Sequence, residues 1–231
     1  MAADAFAAGA GQVVLLAGAT GQLGAEFARR VLRSGGSVAA TVRREWQVAR
    51  LRSELGEPAD RLLVGVVGPR DSEAAAGFVK GAGDALGPIA ALVVAAGLFR
   101  TAEVGTEPAG ELEELLEANL LAGATLVRAA LPGMRRRRRG TITFVGSAGV
   151  GSDFGLSPNY LASKAAVHEY VRALASSLRD SGVTAAAIVP ATLDSAAKVE
   201  AALMGLARLA FDPEGAAAAG QGPLFPLAFS D

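Results

Sequence analysis

Tyr160 and Lys164 stand four residues apart near the start of a stretch with helical periodicity, and Ser147 precedes the tyrosine by thirteen residues. On a helix the first two share a face. A phenol of ordinary pKa about 10 carries protons poorly near neutrality, and a neighbouring ammonium favours its phenolate. The pair could therefore give a proton to a substrate oxygen or take one from it, with the Ser147 hydroxyl placed to orient that oxygen. The chain has no cysteine and one histidine, His168. Thiolate chemistry and Cys- or His-rich metal sites are excluded. His168 lies one helical turn beyond Lys164 and is read as a packing or subunit-contact residue rather than a second base.

These side chains need a frame that brings a strand end to a helix start. Apolar runs at 12–17, 37–42, 62–67, 89–96, 141–146 and 183–189 read as strands. Helical patterns alternate with them at about 23–32, 44–55, 72–86, 110–130 and 159–180, the fourth broken at Pro132-Gly133. Continuous apolar runs mark parallel strands covered on both faces. The alternation predicts an α/β fold, a single doubly wound parallel sheet of Rossmann type with helices on both faces. Residues 12–231 form one domain on this reading, and 1–11 a loose arm. An Ala-rich tail at 191–220 reads as one mobile helix and a loop, with a substrate loop at about 191–210. Residues 223–229 read as a last strand that their two prolines confine to an edge.

Between the first strand and the first helix lies Gly18-Ala-Thr-Gly21-Gln-Leu-Gly24. Glycines there allow a tight turn and bring backbone N–H groups and a helix N-terminus up to a pyrophosphate. The second strand ends in Thr41-Val42-Arg43-Arg44, with no carboxylate before Glu45. A carboxylate would accept a ribose 2′-OH, whereas arginines favour a 2′-phosphate. NADP(H) is the expected cofactor, with NAD(H) second.

In this order the motifs resemble the short-chain dehydrogenase/reductase family over about Val13 to Ser195. The resemblance rests on the Gly18–Gly24 turn, on Asn119, and on VGSAGVGSDFGLSPNYLASKAAV. It implies that Tyr160 protonates the substrate oxygen as hydride arrives and that Ser147 orients the carbonyl. By the same resemblance Lys164 binds the nicotinamide ribose and lowers the Tyr160 pKa, and Asn119 anchors a water in a proton relay. The implied cofactor contacts are Gly18, Thr20, Gly21, Gln22, Leu23, Arg43, Arg44, Ala96, Gly97, Tyr160, Lys164, Pro190 and Ser195. The chain departs from the family pattern in several places, Gln22 standing where many members have Gly and the C-terminal region being abbreviated. Val94-Ala-Ala-Gly97 replaces a common Asn-Asn-Ala-Gly, Gly65 stands where an adenine-contacting aspartate is usual, and Pro190-Ala-Thr-Leu-Asp-Ser195 replaces a Pro-Gly segment ending in Thr. Those departures motivate a second reading, a nucleotide-binding sensor or scaffold with weak catalysis. A third is a reductase of pterin-like or quinoid substrates, because the 190–195 segment is similar to that of dihydropteridine reductases.

Bulk properties set the partners. A net charge of -1 gives no reason to expect nucleic acid, and no apolar run reaches the roughly 18 residues of a membrane span. The expected partner is a small carbonyl or alcohol substrate, shaped by about 150–158, 191–210 and the tail. A cytoplasmic homodimer or homotetramer is expected, paired through the fourth and fifth long helices as the resemblance implies. Arg135 to Arg139 read as a solvated turn, Trp46 as packing its helix on the sheet, and Glu111, Glu113, Glu114 and Glu117 as a solvated helix face.

Overall fold

The computed structural model describes residues 5–56, 60–152, 157–212, 214 and 222–227. Its strands are β1 (Val13–Ala17), β2 (Ser37–Val42), β3 (Leu62–Val66), β4 (Ile89–Val94), β5 (Gly140–Val145), β6 (Val183–Val189) and β7 (Leu224–Pro226). They form one sheet in the order β3-β2-β1-β4-β5-β6-β7, every neighbour parallel. All five residues of β1 are buried, as an apolar run between two helix layers requires. The order reverses between β1 and β4, and the crevice outside the strand ends at such a reversal is where ligands sit in this architecture.

The helices are α1 (Gln22–Arg33), α2 (Trp46–Leu55), α3 (Ser72–Leu86), α4 (Glu111–Leu116), α5 (Ala122–Arg137), α6 (Pro158–Ser177) and α7 (Ala196–Phe211). One face of the sheet packs Phe27 and Val31 of α1 with Leu203 and Leu206 of α7. The other packs Leu126 and Met134 of α5 and Val167 of α6 against Ile142 and Phe144. A wide π-turn, Glu117–Leu121, joins α4 to α5, so the stretch Glu111–Arg137 is one helical rod. Its length and composition would suit a membrane span. Here its Leu115, Leu126, Val127, Ala130 and Met134 face is seated in the core instead.

Five sequence expectations are corrected. The rod does not break at Pro132, whose ring lies on an exposed face and costs α5 only the bond its missing N–H would have made. Arg135, Arg136 and Arg137 consequently form the last turn of α5, where cations complement the helix dipole, rather than a turn of their own. The 191–210 stretch is not a substrate loop: six residues join β6 to α7, and α7 buries Ala202, Leu203, Leu206 and Ala207. The described part of the N-terminal arm is anchored rather than loose, because Phe6 is 2% exposed and packs between Phe27 and Phe211. Trp46 is 63% exposed, since α2 buries Leu51 and Leu55 rather than its first residue. The tail ends as expected on an edge strand, β7, paired with β6. Residues 1–4, 57–59, 153–156, most of 213–221 and 228–231 lie outside the described residues.

Candidate active site

The β1–α1 turn is shaped by close approach. Gly18 has φ +90°, and a Cβ there would collide with the backbone of Ala95 and Ala96 beyond β4. A Cβ on Gly24 would collide with the Gly18 carbonyl, so α1 can press against the turn only because both residues are glycine. Gly21 caps α1 with extended backbone and no side-chain acceptor, leaving first-turn N–H groups free to meet an anion. Gly18, Thr20, Gly21, Arg43, Ala96 and Gly97 all line one cleft outside the strand ends. Gln22 is exposed beside this cleft, whereas Leu23 is 7% exposed and belongs to the core under it.

Arg43 lines the cleft at the end of β2, and Arg44 follows, exposed. The Gln47 side chain accepts from both backbone N–H groups, at 3.1 Å and 2.9 Å, and so fixes the chain path that presents the two guanidiniums. Gly65 is not at the cleft. It pairs with Thr41 inside the sheet, and the Phe78 ring covers it so closely that a Cβ would lie 2.5 Å from that ring. Val67 and Pro69 line the cleft beyond β3 in its place, an apolar wall with no carboxylate.

The candidate reacting groups converge where β5 meets α6. Ser147 leaves the end of β5 and is 4% exposed. Its Oγ accepts the Gly149 N–H at 3.2 Å, and its hydroxyl lies near enough to the Tyr160 phenol to favour the phenolate. Lys164 is 5% exposed below them, and its Nζ donates to the Val145 carbonyl at 3.0 Å. Phe99 meets the Tyr160 ring edge-on at 4.8 Å between centroids. Gly97 keeps a gap open here: a Cβ on it would lie 3.2 Å from Asn119 Oδ1 and 3.5 Å from Lys164 Nζ.

The electrostatics differ from what spacing alone predicts. Burial raises the Tyr160 phenol above its usual value, and the opposing pull comes from the Ser147 hydroxyl rather than from Lys164. The reason lies in Lys164 itself. Desolvation brings its ammonium down to about 8, and its proton is directed at Val145. A buried cation that easily surrenders its charge is a weak lever on a neighbouring phenol.

Asn119 sits in the π-turn and clamps the loop after β4. Its Oδ1 accepts from Leu98 N at 2.7 Å, while its Nδ2 donates to Leu98 O at 3.1 Å and to Ser163 Oγ at 2.8 Å. Three of its four side-chain bonding capacities are thus used within the protein, leaving one Oδ1 lone pair for a water. Pro190 is buried, with its carbonyl accepting from Ala148 N at 2.9 Å. Ser195 is exposed and caps α7, accepting from Lys198 N at 3.3 Å, so its oxygen serves the helix first.

Two residues near the site carry roles that pattern reading missed. Glu111, expected on a solvated face, is 6% exposed and accepts from Asn159 Nδ2 at 2.9 Å, tying α4 to the first turn of α6. His168 is 5% exposed, and its Nε2 accepts the backbone N–H of Ser147 at 3.2 Å. Its place one turn beyond Lys164 was visible in the sequence, but a backbone partner leaves no residue pattern.

The model of the short chain dehydrogenase family matches residues 12–204. The chain belongs to this family. Among its relatives is a short chain dehydrogenase of Pseudocercospora fijiensis, 29% identical over 80% of this chain and 60% of that one. Another is the 3-oxoacyl-acyl-carrier-protein reductase FabG of Vibrio cholerae, 28% identical over 80% of this chain and 75% of that one. A solved short chain dehydrogenase/reductase from Burkholderia thailandensis superposes with a TM-score of 0.79 at 27% identity, covering 94% of this chain and 90% of the other. As a short-chain dehydrogenase the chain falls in an oxidoreductase family, and the crevice, the glycine turn and the Ser147–Tyr160–Lys164 cluster lie together at its strand ends.

Proposed function

We propose that this chain is an NADP(H)-dependent oxidoreductase that interconverts a carbonyl and an alcohol. The observation that carries the reading is the convergence of buried Ser147 and Lys164 with Tyr160 where β5 meets α6, beside a cleft built by the glycine turn. The cleft fits a dinucleotide: Gly18 and Gly24 shape its floor, the uncapped α1 N-terminus faces an anion, and Gly97 leaves room before Lys164. When bound, the dinucleotide supplies or accepts the hydride. Gly18, Thr20, Gly21 and the α1 N–H groups would hold its phosphates, and Arg43 a 2′-phosphate.

The protein's own part is proton handling. Gly149 occupies a lone pair of Ser147 Oγ, which turns the hydroxyl proton outward, toward Tyr160 and toward a carbonyl oxygen beside it. Tyr160, held largely protonated by burial, gives its proton from Oη to that oxygen in reduction and recovers it in oxidation. Lys164, buried behind Gly97, would hold the nicotinamide ribose. A cytoplasmic homo-oligomer acting on a small carbonyl compound completes the proposal.

The test is a carbonyl panel with NADPH, comparing the wild type with Tyr160→Phe. Turnover in the wild type and its loss by roughly 100-fold or more in the variant, with NADPH binding retained, is the expected result. NADPH binding without turnover across the panel would favour a nucleotide sensor instead, and an active Tyr160→Phe enzyme would dismiss Tyr160 as the acid.

A further inference from the structure

Four consecutive backbone N–H groups leave the end of β5, and each has an assigned partner. Gly146 N bonds to Ile188 O at 2.8 Å, continuing the sheet, and Ala148 N bonds to Pro190 O at 2.9 Å. Gly149 N bonds to the Ser147 side chain at 3.2 Å. Between them the sheet ladder ends, and the Ser147 N–H goes to a side chain, His168 Nε2, at 3.2 Å. Gly146 makes this approach possible, because a Cβ there would run into His168 Nε2. The imidazole, two turns along α6 from Tyr160, therefore holds the backbone of the residue that faces the Tyr160 phenol.

From this geometry we propose that His168 is a positioning residue: as a neutral acceptor it fixes the Ser147 backbone, and through it the hydroxyl that orients the substrate carbonyl. The inference rests on the oxidoreductase reading above. The bond requires a lone pair on Nε2, hence the tautomer protonated on Nδ1. Burial and the nearby cations Lys164 and Arg172, both on α6, hold the imidazole below its usual range and so in the neutral form. Gly146 and Ser147, just after β5, and Ile188 from β6, which face the ring, carry no charge, and the Glu111 carboxylate of α4 is engaged with Asn159, more than two turns away. Protonation of Nε2 would set a donor against a donor and release Ser147.

The experiment compares His168→Phe, which keeps a ring but no acceptor, with His168→Gln, whose Oε1 can replace Nε2. His168→Phe is expected to lower kcat by roughly 10- to 100-fold, the scale of a misplaced orienting group, with the NADPH dissociation constant unchanged. His168→Gln is expected to restore kcat to within a few-fold and to abolish any His-dependent acid limb of the pH profile. Wild-type kcat in His168→Phe overturns the proposal, as does a His168→Gln enzyme that folds and is as slow as His168→Phe. A second readout does not need turnover: imidazole 15N shifts should show a lone pair on Nε2 in the wild type, and Ser147 amide protection should fall in His168→Phe and return in His168→Gln. If the wild type proves inactive, the oxidoreductase reading fails, and this readout alone decides for or against the positioning role. An Nε2–H tautomer, or Ser147 protection unchanged in His168→Phe, refutes it.

Discussion

Replacing Lys164 by methionine should make the cofactor-free protein more stable while removing its activity. The ammonium is fully buried, and burial lowers its pKa from 10.5 to about 8. At about 1.4 kcal/mol per pH unit, that difference amounts to about 3 kcal/mol of strain carried by the protonated, folded form. The sign follows from proton counting. Between pH 8 and 10.5 the unfolded chain binds the proton more tightly than the folded one, so stability rises with pH across this window. Below pH 8 the penalty is present in full, and above 10.5 it is gone. Methionine has nearly the same length and no charge, and it gives up only the bond from Nζ to the Val145 carbonyl, worth about 1 kcal/mol. The net gain near neutrality is about 2 kcal/mol, which for a chain of 231 residues raises Tm by about 4–8 °C. Thermal unfolding of both proteins from pH 6 to 11 is the assay, the difference between them cancelling the other titrating groups to first order. The gap should close as pH climbs past 8 toward 10.5. A methionine variant less stable than wild type at pH 7, or a gap that does not depend on pH, would show that Lys164 carries no buried-charge penalty.

Two other perturbations separate the cleft from the frame. Arg43→Ser removes the guanidinium that lines the cleft at the end of β2, and should weaken NADPH binding by roughly tenfold or more while leaving NADH binding unchanged. Fluorescence titration with both cofactors checks this, and equal weakening of the two would count against a 2′-phosphate contact. Phe27→Ala empties a ring that is 0% exposed and stacked on Phe211, and should cost about 3–5 kcal/mol by denaturant titration without moving the site.

Strand positions were legible because a strand buried on both faces can only be apolar, and 183–189 reads directly as β6. The helix 72–86 was equally plain, with Asp71 capping it through the Ala74 N–H. Misreadings arose where a local rule met tertiary context. Proline is a good stop signal, yet Pro132 points outward and α5 continues. Alanine-rich 196–211 looked mobile, but its Leu203, Leu206 and Leu209 pack on the sheet with Ala202, Ala207 and Ala210 buried beside them. In the site, Tyr160, Lys164 and Ser147 were readable from spacing and strand ends. The Lys164 bond to Val145, the Ser147 bond to His168 and the burial of Glu111 were not, because backbone partners and desolvation leave no periodic trace.

The aromatic cluster of Phe6, Phe27 and Phe211 has a consequence for biosynthesis. Phe27 stacks on Phe211 with centroids 6.2 Å apart, and Arg30 of the same helix grips Glu200 through two bonds. An early helix of this domain is therefore finished by a late one. While the ribosome is still delivering the middle of the chain, α1 presents Phe27 and Val31 as a sticky stripe that still lacks its α7 cover. Release of residue 211 from the exit tunnel closes that stripe, so any truncation before it leaves a nascent protein with an open flank and a natural handle for chaperones and proteases.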